Sequence, residues 1–227
     1  APLVYGDLLI LNAGDHGVAV EKQTGKVAWS SGKGQNGYAT PVLYQENGAD
    51  RVLVYSADGL HSIDPKSGAQ AWFHKWKTKY EVNAADPILL PDNRIFISSG
   101  YGTGCAMLQL ADGKTKELWT SKEMRNQLNP SLYLDGYLYG VDGDTGGKAT
   151  LNCLDAKTGK ELWKTETGEE FFSGGHWWGT VSSPVVDGDR VYFIPGGDRD
   201  KKPEKWCSML CLRISDGKVL WRSGGDI

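Results

Sequence analysis

The 227-residue sequence has no excess of basic residues and no long apolar run. Its 25 lysines and arginines are outnumbered by 28 acidic residues, which gives a formal net charge of -3 and a pI near 5.8. Proteins that bind the nucleic-acid backbone need a basic face, so no nucleic-acid partner is expected. No apolar run approaches the roughly 20 residues of a membrane-spanning helix, so no membrane span is expected either.

Motifs for several common chemistries are also missing. The sequence has no G-x-S-x-G elbow, no phosphate-binding glycine loop, no C-x-x-C-H haem motif and no cysteine–histidine set at zinc spacing. His16, His61 and His74 are scattered, without acidic or cysteine neighbours at useful spacing. Residues 142–147 resemble the start of a calcium loop but lack its later ligands, and they fall at a predicted turn. We therefore assign no catalytic residue and no metal ligand.

The four cysteines do not settle the redox compartment. Cys207 and Cys211 fall on one predicted strand, where an extended chain would hold them roughly 13 Å apart, too far for a disulfide. Buried free thiols are the expected state. A bridge between Cys105 and Cys153, or one that involves Cys207, remains an alternative.

Glycine and tryptophan, by contrast, are abundant, with 30 and 9 residues. One string recurs four times, at 21–29, 63–72, 154–163 and 213–221: an acidic residue or its equivalent, then Thr, Ser or Asp, then Gly, then Trp. A looser copy spans 110–119. The closing tryptophans, at separations of 43, 47, 44 and 58 residues, are Trp29, Trp72, Trp119, Trp163 and Trp221. The turn glycines of the same copies are Gly25, Gly68, Gly113, Gly159 and Gly217.

A proline that opens an apolar segment recurs in phase with the tryptophans. These prolines, 39, 46, 43 and 54 residues apart, are Pro2, Pro41, Pro87, Pro130 and Pro184. Each unit reads as four strands, A to D: the proline starts strand A, the Thr-Gly turn joins strands C and D, and strand D carries the tryptophan. Each indole is expected to pack against the neighbouring unit. A four-stranded repeat of this period predicts an all-β propeller of antiparallel blades, at about 1–31, 39–74, 85–121, 128–165 and 181–223.

The D-x-x-T-G-K-x-x-W string, complete at 155–163, resembles the tryptophan-docking repeat of pyrroloquinoline-quinone-like (quinoprotein-type) β-propellers. The resemblance covers the whole chain as five units and is strongest to the uncharacterised secreted bacterial group, which implies a periplasmic or extracellular location. Propellers of this family usually close with seven or eight blades. Because the sequence begins Ala-Pro and shows five units, we expect a processed form or a fragment of a larger propeller. A fragment could self-associate through its open blade edges. A closed five-bladed ring is the alternative.

Linkers between strand D of one unit and strand A of the next are longer and more varied than the Thr-Gly turns, so they form the expected functional face. The inserted linker at 171–179 places His176, Trp177 and Trp178 among glycines, where indole faces can stack on flat rings or sugars. The structural alternative is that Trp178 packs in the core and Trp177 covers a seam. Further binding candidates before strand A, around the channel rim, are Tyr38, Asn83, Asp86, Arg125 and Asn129. Asp86 could instead form an ion pair with Arg125 or Lys79.

The predicted function is a non-catalytic binding or scaffold module of the bacterial envelope or secreted fraction, which presents its D–A loops to a protein, peptide or glycan partner and needs no cofactor. The alternative implied by the resemblance is a quinoprotein dehydrogenase that uses pyrroloquinoline quinone and calcium, with Trp178 as a stacking platform and Asp86 or Asp198 as the base. The adjacent-cysteine pair that often clamps the quinone in such enzymes is missing. A purely structural repeat in an envelope assembly is the third possibility.

Overall fold

The computed structural model describes residues 1–143, 149–167, 182–195 and 209–223, and these residues form 20 strands and no helix. The strands make five four-stranded sheets, each an antiparallel meander of four consecutive strands. The predicted all-β architecture of four-stranded antiparallel propeller blades is therefore confirmed. No helix in this part of the chain could cross a membrane.

Each sheet follows the same order, from strand A to strand D. The first three sheets consist of β1 (Leu3–Tyr5), β2 (Leu8–Leu11), β3 (Val18–Glu21), β4 (Val27–Ser30), β5 (Val42–Glu46), β6 (Ala49–Tyr55), β7 (Gly59–Ile63), β8 (Gln70–Lys75), β9 (Ile88–Leu90), β10 (Arg94–Ser99), β11 (Gly104–Ala111) and β12 (Lys114–Ser121). The last two consist of β13 (Leu132–Leu134), β14 (Tyr137–Asp142), β15 (Thr150–Asp155), β16 (Glu161–Glu166), β17 (Val185–Asp187), β18 (Arg190–Phe193), β19 (Met209–Arg213) and β20 (Val219–Ser223).

The repeated Asp-x-x-Thr-Gly string forms the turn between strands C and D. In the fourth sheet, Asp155 Oδ1 accepts hydrogen bonds from the backbone N–H of Lys157 (3.0 Å) and of Thr158 (2.8 Å), and from the Thr158 hydroxyl (2.8 Å). These bonds hold the pKa of Asp155 below its ordinary value, with the Thr158 hydroxyl as the largest cause. Gly159 then adopts a φ of 72°, which a side chain would disfavour.

A β-bulge precedes the tryptophan in every sheet. In the fourth sheet, Cys153 pairs with Trp163 while Leu154 pairs with Glu161, so Leu162 is an additional residue in strand D. The same register shift recurs in the other four sheets. A bulge reverses the face to which later side chains point, and here it directs the indole towards the next sheet along the chain.

The hydrophobic core is divided among the seams between consecutive sheets. Four clusters of buried side chains correspond to the four seams, and each combines residues of two adjacent sheets. Between the first and second sheets, for example, Ile10 and Ala19 pack against Val52, Val54 and Ile63. Each sheet is therefore stabilised mainly by burial against its neighbours.

Three tryptophans make the same contact across a seam. Their indole Nε1 groups donate to a backbone carbonyl in the C–D turn of the next sheet: Trp29 to Pro65 (3.1 Å), Trp119 to Ala156 (3.2 Å) and Trp163 to Ile214 (2.9 Å). A Cβ on the turn glycine would lie 2.5, 2.5 and 2.4 Å from the indole at Gly68, Gly159 and Gly217. These positions therefore need glycine because the indole lies directly on the backbone.

The seam between the second and third sheets differs. Trp72 donates its Nε1 to Glu46 Oε2 at 3.2 Å within its own sheet. Nothing lies within 4 Å of a Cβ built on Gly113. The looser third copy has a shorter turn, in which only Asp112 and Gly113 separate the paired residues Ala111 and Lys114. The turn carbonyl that receives the indole in the other seams therefore has no equivalent here.

Candidate functional site

One end of the sheets brings B–C turns and D–A linkers together, as the meander topology predicts. A groove of about 270 Å³ opens there between the first and second sheets. Asp15, Ala57 and Asp58 reach it from B–C turns, and Gln35, Lys77 and Glu81 reach it from D–A linkers. We call this end of the molecule the loop face. Three carboxylates and one lysine give the groove a net negative charge.

Exposed tyrosines lie beside this groove. Tyr38 is 68% exposed and Tyr80 is 56% exposed. The Tyr80 ring meets Tyr101 edge to face at 4.8 Å, and Lys79 Nζ lies 5.2 Å from the centre of the Tyr80 ring. The Tyr38 backbone N–H donates to the Asn83 carbonyl at 2.8 Å, so the first D–A linker runs against the linker that carries Tyr80. Tyr38 was expected here, whereas Tyr80 and Tyr101 were not identified, although Tyr80 is the one aromatic residue between Trp76 and Asn83.

Asn83 is fully buried and holds several segments together. Its Nδ2 donates to the carbonyls of Ser56 (2.8 Å) and Trp76 (3.0 Å), and its Oδ1 accepts from the Ser99 hydroxyl (2.7 Å). Both hydrogens of the side-chain amide are used within the protein, so the Asn83 side chain has no N–H left for a ligand. Its position in the linker was predictable, but its burial depends on Ser56 and Ser99, which lie at the ends of strand B in two different sheets.

Asp86 and Arg125 have separate partners, so the alternative in which Asp86 forms an ion pair with Arg125 is wrong, and among the described residues Lys79 forms none with Asp86 either. Asp86 Oδ1 accepts the Thr40 backbone N–H at 2.6 Å, which fixes the start of strand A in the second sheet. Arg125 forms a two-point ion pair with Asp142, with Nη2–Oδ2 at 2.6 Å and Nε–Oδ1 at 2.8 Å. The Arg125 backbone N–H also donates to Asp142 Oδ1 at 2.7 Å. Asn129, which follows Arg125 in the same linker, is half-buried.

Several predicted residues lie outside the described residues. These are His176, Trp177 and Trp178 of the inserted linker, Asp198, Cys207 and most of the turn at 142–147.

Two histidines that the sequence separates are brought together at the first seam. The rings of His16 and His61 stack at a centroid distance of 5.2 Å. His61 Nε2 lies 2.9 Å from both Asp58 Oδ1 and Ser56 Oγ, and its Nδ1 lies 2.8 Å from Gln70 Oε1. The expectation that these histidines lack acidic neighbours is therefore wrong for His61, whose partner Asp58 is three residues away. Burial lowers the pKa of His16, and the neighbouring His61 lowers it further.

The cysteines of the described residues are inert. Cys105, Cys153 and Cys211 are buried and free, which confirms the expected state for these three and shows that the Cys105–Cys153 bridge is wrong. Burial raises the pKa of the Cys105 thiol to about 12 and that of the Cys153 thiol to about 11. Thiols with such pKa values carry almost no thiolate at neutral pH.

The sequence matches the family described as outer membrane protein assembly factor BamB, over residues 1–165 and again over residues 145–226. No curated protein matches it. Among solved structures, quinohemoprotein alcohol dehydrogenase ADHIIG from Pseudomonas putida HK5 is similar, with a TM-score of 0.59 and 12% identity. That match covers 85% of this chain and 35% of the dehydrogenase chain.

Two further structures share the architecture. The computationally designed protein Ika8 has a TM-score of 0.58 and 13% identity, and the match covers 98% of this chain and 60% of Ika8. A protein of unknown function from Bacteroides caccae has a TM-score of 0.51 and 10% identity, and the match covers 95% of this chain and 77% of that one. At these identities the similarity concerns the fold. The chain spans less than two thirds of the length of ADHIIG and of Ika8.

Proposed function

This chain belongs to the family described as outer membrane protein assembly factor BamB, whose members are built from PQQ-like repeats, and on that premise we propose that it is a non-catalytic binding or scaffold propeller. The partner in this proposal is a protein, peptide or glycan that contacts the loop face. The outer-membrane role in the family's description supports a periplasmic or extracellular location, which is part of the proposal.

The observation that carries the proposal is a contrast between polar and aromatic residues on the loop face. The polar residues best suited to chemistry are already used internally, because Asn83, Asp86 and Arg125 all hydrogen-bond within the protein. Tyr38 and Tyr80, by contrast, are exposed residues of the two D–A linkers that contribute to the lining of a polar groove. Exposed tyrosines supply contact area with little loss of conformational entropy, which is typical of recognition surfaces. The inserted linker with His176, Trp177 and Trp178 is a further D–A connection and is included in the proposed surface.

The alternative function is a dehydrogenase that uses pyrroloquinoline quinone and calcium, and its support is the structural similarity to ADHIIG. Within the described residues, several side chains that could hold those two groups already have other partners. Trp29, Trp119 and Trp163 are held in seams by their indole hydrogen bonds, and the Asp142 carboxylate is paired with Arg125. No three histidine, cysteine or carboxylate side chains converge there on a common point. The alternative therefore depends on residues such as Trp178 and Asp198.

Site-specific photocrosslinking tests the binding proposal. A photoreactive phenylalanine replaces Tyr38 or Tyr80 on the loop face, and Tyr137 serves as the matched control. Tyr137 is also exposed, at 39%, but it begins strand B at the opposite end of the fourth sheet. We expect adducts with one partner from positions 38 and 80 and none from position 137. Tyr80→Ala should then weaken binding of that partner by about tenfold or more.

A fluorescence titration separates the two functions. Pyrroloquinoline quinone and calcium are added together while tryptophan emission is recorded. Unchanged emission, together with adducts at positions 38 and 80, supports the binding function. Quenching that requires both additions, together with adducts spread equally over all three positions, would refute it and favour the dehydrogenase.

A further inference from the structure

A cavity of about 390 Å³ lies between the fourth and fifth sheets, at the end of the molecule opposite the loop face. All four strands of the fourth sheet contribute to one wall, and the turns of the fifth sheet at Gly188, Ile214 and Ser215 form the other. Its volume lies within the range of small-molecule sites. No residue of the loop face lines it, so this cavity is independent of the surface proposed above.

Three aromatic rings line this cavity. The rings of Tyr139 and Trp163, which are 3% and 9% exposed, have centroids 6.0 Å apart and planes inclined at 44°. Tyr137 lies nearer to solvent, at 39% exposure, and its ring is 6.5 Å from that of Tyr139 at an angle of 57°. Rings inclined in this way form a concave wall, whereas a sugar ring stacks on a flat aromatic surface.

The polar atoms of this wall are largely used within the protein. Trp163 Nε1 donates to the Ile214 carbonyl at 2.9 Å. The Tyr139 hydroxyl and the Cys153 thiol are hydrogen-bonded to each other. A ligand rich in hydroxyl groups would therefore find few partners here, and the ring faces are the main feature that the wall offers.

Asp135 is the one charged residue among the described residues that line the cavity. It is exposed, and the ion pairs of the fourth and fifth sheets in this part of the chain join other groups. Burial is the largest cause of the raised pKa of Tyr139, and the Asp135 carboxylate raises it further. The negative charge therefore acts on the aromatic wall.

Three other sheets hold an arginine at the position of Tyr137, two residues before the strand B residue that is aligned with the tryptophan. These are Arg51, Arg94 and Arg190. Their guanidinium groups pair with a carboxylate of a nearby turn, at 3.6 Å to Asp64, 3.8 Å to Asp92 and 3.5 Å to Asp189. In the fourth sheet Tyr137 supplies a ring instead, so the turn carboxylate of Asp135 has no guanidinium beside it.

We propose that this cavity binds a small organic cation, with a trimethylammonium or similar alkylammonium group against Tyr137, Tyr139 and Trp163 and its charge towards Asp135. The negative faces of aromatic rings attract cations, and sets of such rings recognise quaternary ammonium ions. The ligand supplies the positive charge that the arginine supplies in three other sheets. The missing arginine thus accounts for both the space and the unpaired carboxylate.

A proton NMR titration with choline tests the site. Its neutral carbon analogue, in which a tert-butyl group replaces the trimethylammonium group, has the same shape. The choline methyl resonance should move upfield, because it lies against ring faces, and saturate with a Kd of about 1 mM or lower. The neutral analogue should bind about tenfold more weakly, since it keeps the apolar contact and loses the charge.

Tyr137→Phe and Tyr137→Leu are a matched pair of variants. Phenylalanine keeps the ring and should bind choline as the wild type does. Leucine, which the first sheet has at this position as Leu8, should weaken choline binding by about tenfold and leave the neutral analogue nearly unchanged. Asp135→Asn, at an exposed position, should weaken choline binding by about threefold and reduce its salt dependence.

Phe73→Leu is the control for ring removal, because Phe73 has the same 39% exposure in another sheet. It should bind choline normally, and circular dichroism should be unchanged in all four variants. The absence of a saturable shift up to about 20 mM choline would overturn the proposal. So would equal binding of the neutral analogue, choline binding that survives both Tyr137→Leu and Asp135→Asn, or binding of a neutral sugar such as maltose without binding of choline.

Discussion

The substitution Gly159→Ala gives the sharpest measure of how strongly the seams hold the sheets together. Gly159 has a φ of 72°, and a Cβ built there lies 2.5 Å from Cε3 of Trp119. A side chain in the left-handed region costs about 1–2 kcal/mol. Displacing a packed indole adds about 1–3 kcal/mol. We therefore expect a total loss of about 2–5 kcal/mol in the free energy of unfolding.

Gly113→Ala is the matched control, because its φ of 68° carries the same backbone cost but no atom lies within 4 Å. Its loss should be about 1–2 kcal/mol. Thermal unfolding of both variants should show a lower Tm for Gly159→Ala. For a chain of this length each kcal/mol corresponds to about 2–4 °C.

A double-mutant cycle identifies the indole as the cause. In a Trp119→Ala background the contact is already lost, so adding Gly159→Ala should cost no more than Gly113→Ala does. Equal losses for the two glycine variants in the wild-type background would refute the reasoning. So would a cost of Gly159→Ala that is unaffected by the removal of Trp119.

Four further predictions concern groups that the seams and the loop face hold. Because burial lowers the pKa of His16 from its ordinary 6.5, the unfolded chain binds more protons near that pH. The contribution of the neutral His16 ring to stability is complete above pH 6.5 and is lost as the pH falls. Between pH 7 and 5, the Tm of His16→Asn should therefore drop by less than the Tm of the wild type. Arg125→Ala leaves the Asp142 carboxylate, which is 12% exposed, without its side-chain donors, and should lower the free energy of unfolding by about 1–3 kcal/mol, measured by urea unfolding. Asn83→Ala removes the donors to one buried and one half-buried carbonyl and should cost about 2–4 kcal/mol, against little change for a substitution of an exposed linker residue. Cys105 should resist a thiol reagent at pH 8 in the folded protein and react fully in urea, since burial raises its pKa to about 12.

The repeated part of the molecule was predictable because one spacing fixes several contacts at once. The Thr-Gly turn, the bulge and the tryptophan recur in phase, so the strand order of one unit predicts the strand order of all five sheets. The exception is Trp72, whose indole turns to Glu46 because the third copy has a shorter turn. The looser motif was visible in the sequence. The different orientation of the Trp72 indole was not visible, because it depends on the lack of an acceptor carbonyl in the C–D turn of the next sheet.

The candidate site was less predictable, because it too depends on contacts between neighbouring sheets. His16 and His61 are 45 residues apart, and only the seam brings them into contact. Asn83 looks like a channel residue from its place before strand A, yet its amide hydrogen-bonds to residues at the ends of strand B in two different sheets. Residue types in a linker indicate which chemistry is possible. Which groups remain available depends on the bonds that the neighbouring units make to them.

This dependence explains why recognition in such a repeat should involve residues that break the pattern. Positions shared by all units are used to join the sheets, so their donors, acceptors and flat surfaces are already occupied inside the protein. Tyr38 and Tyr80 belong to linkers whose length and sequence differ from unit to unit, and their side chains remain exposed.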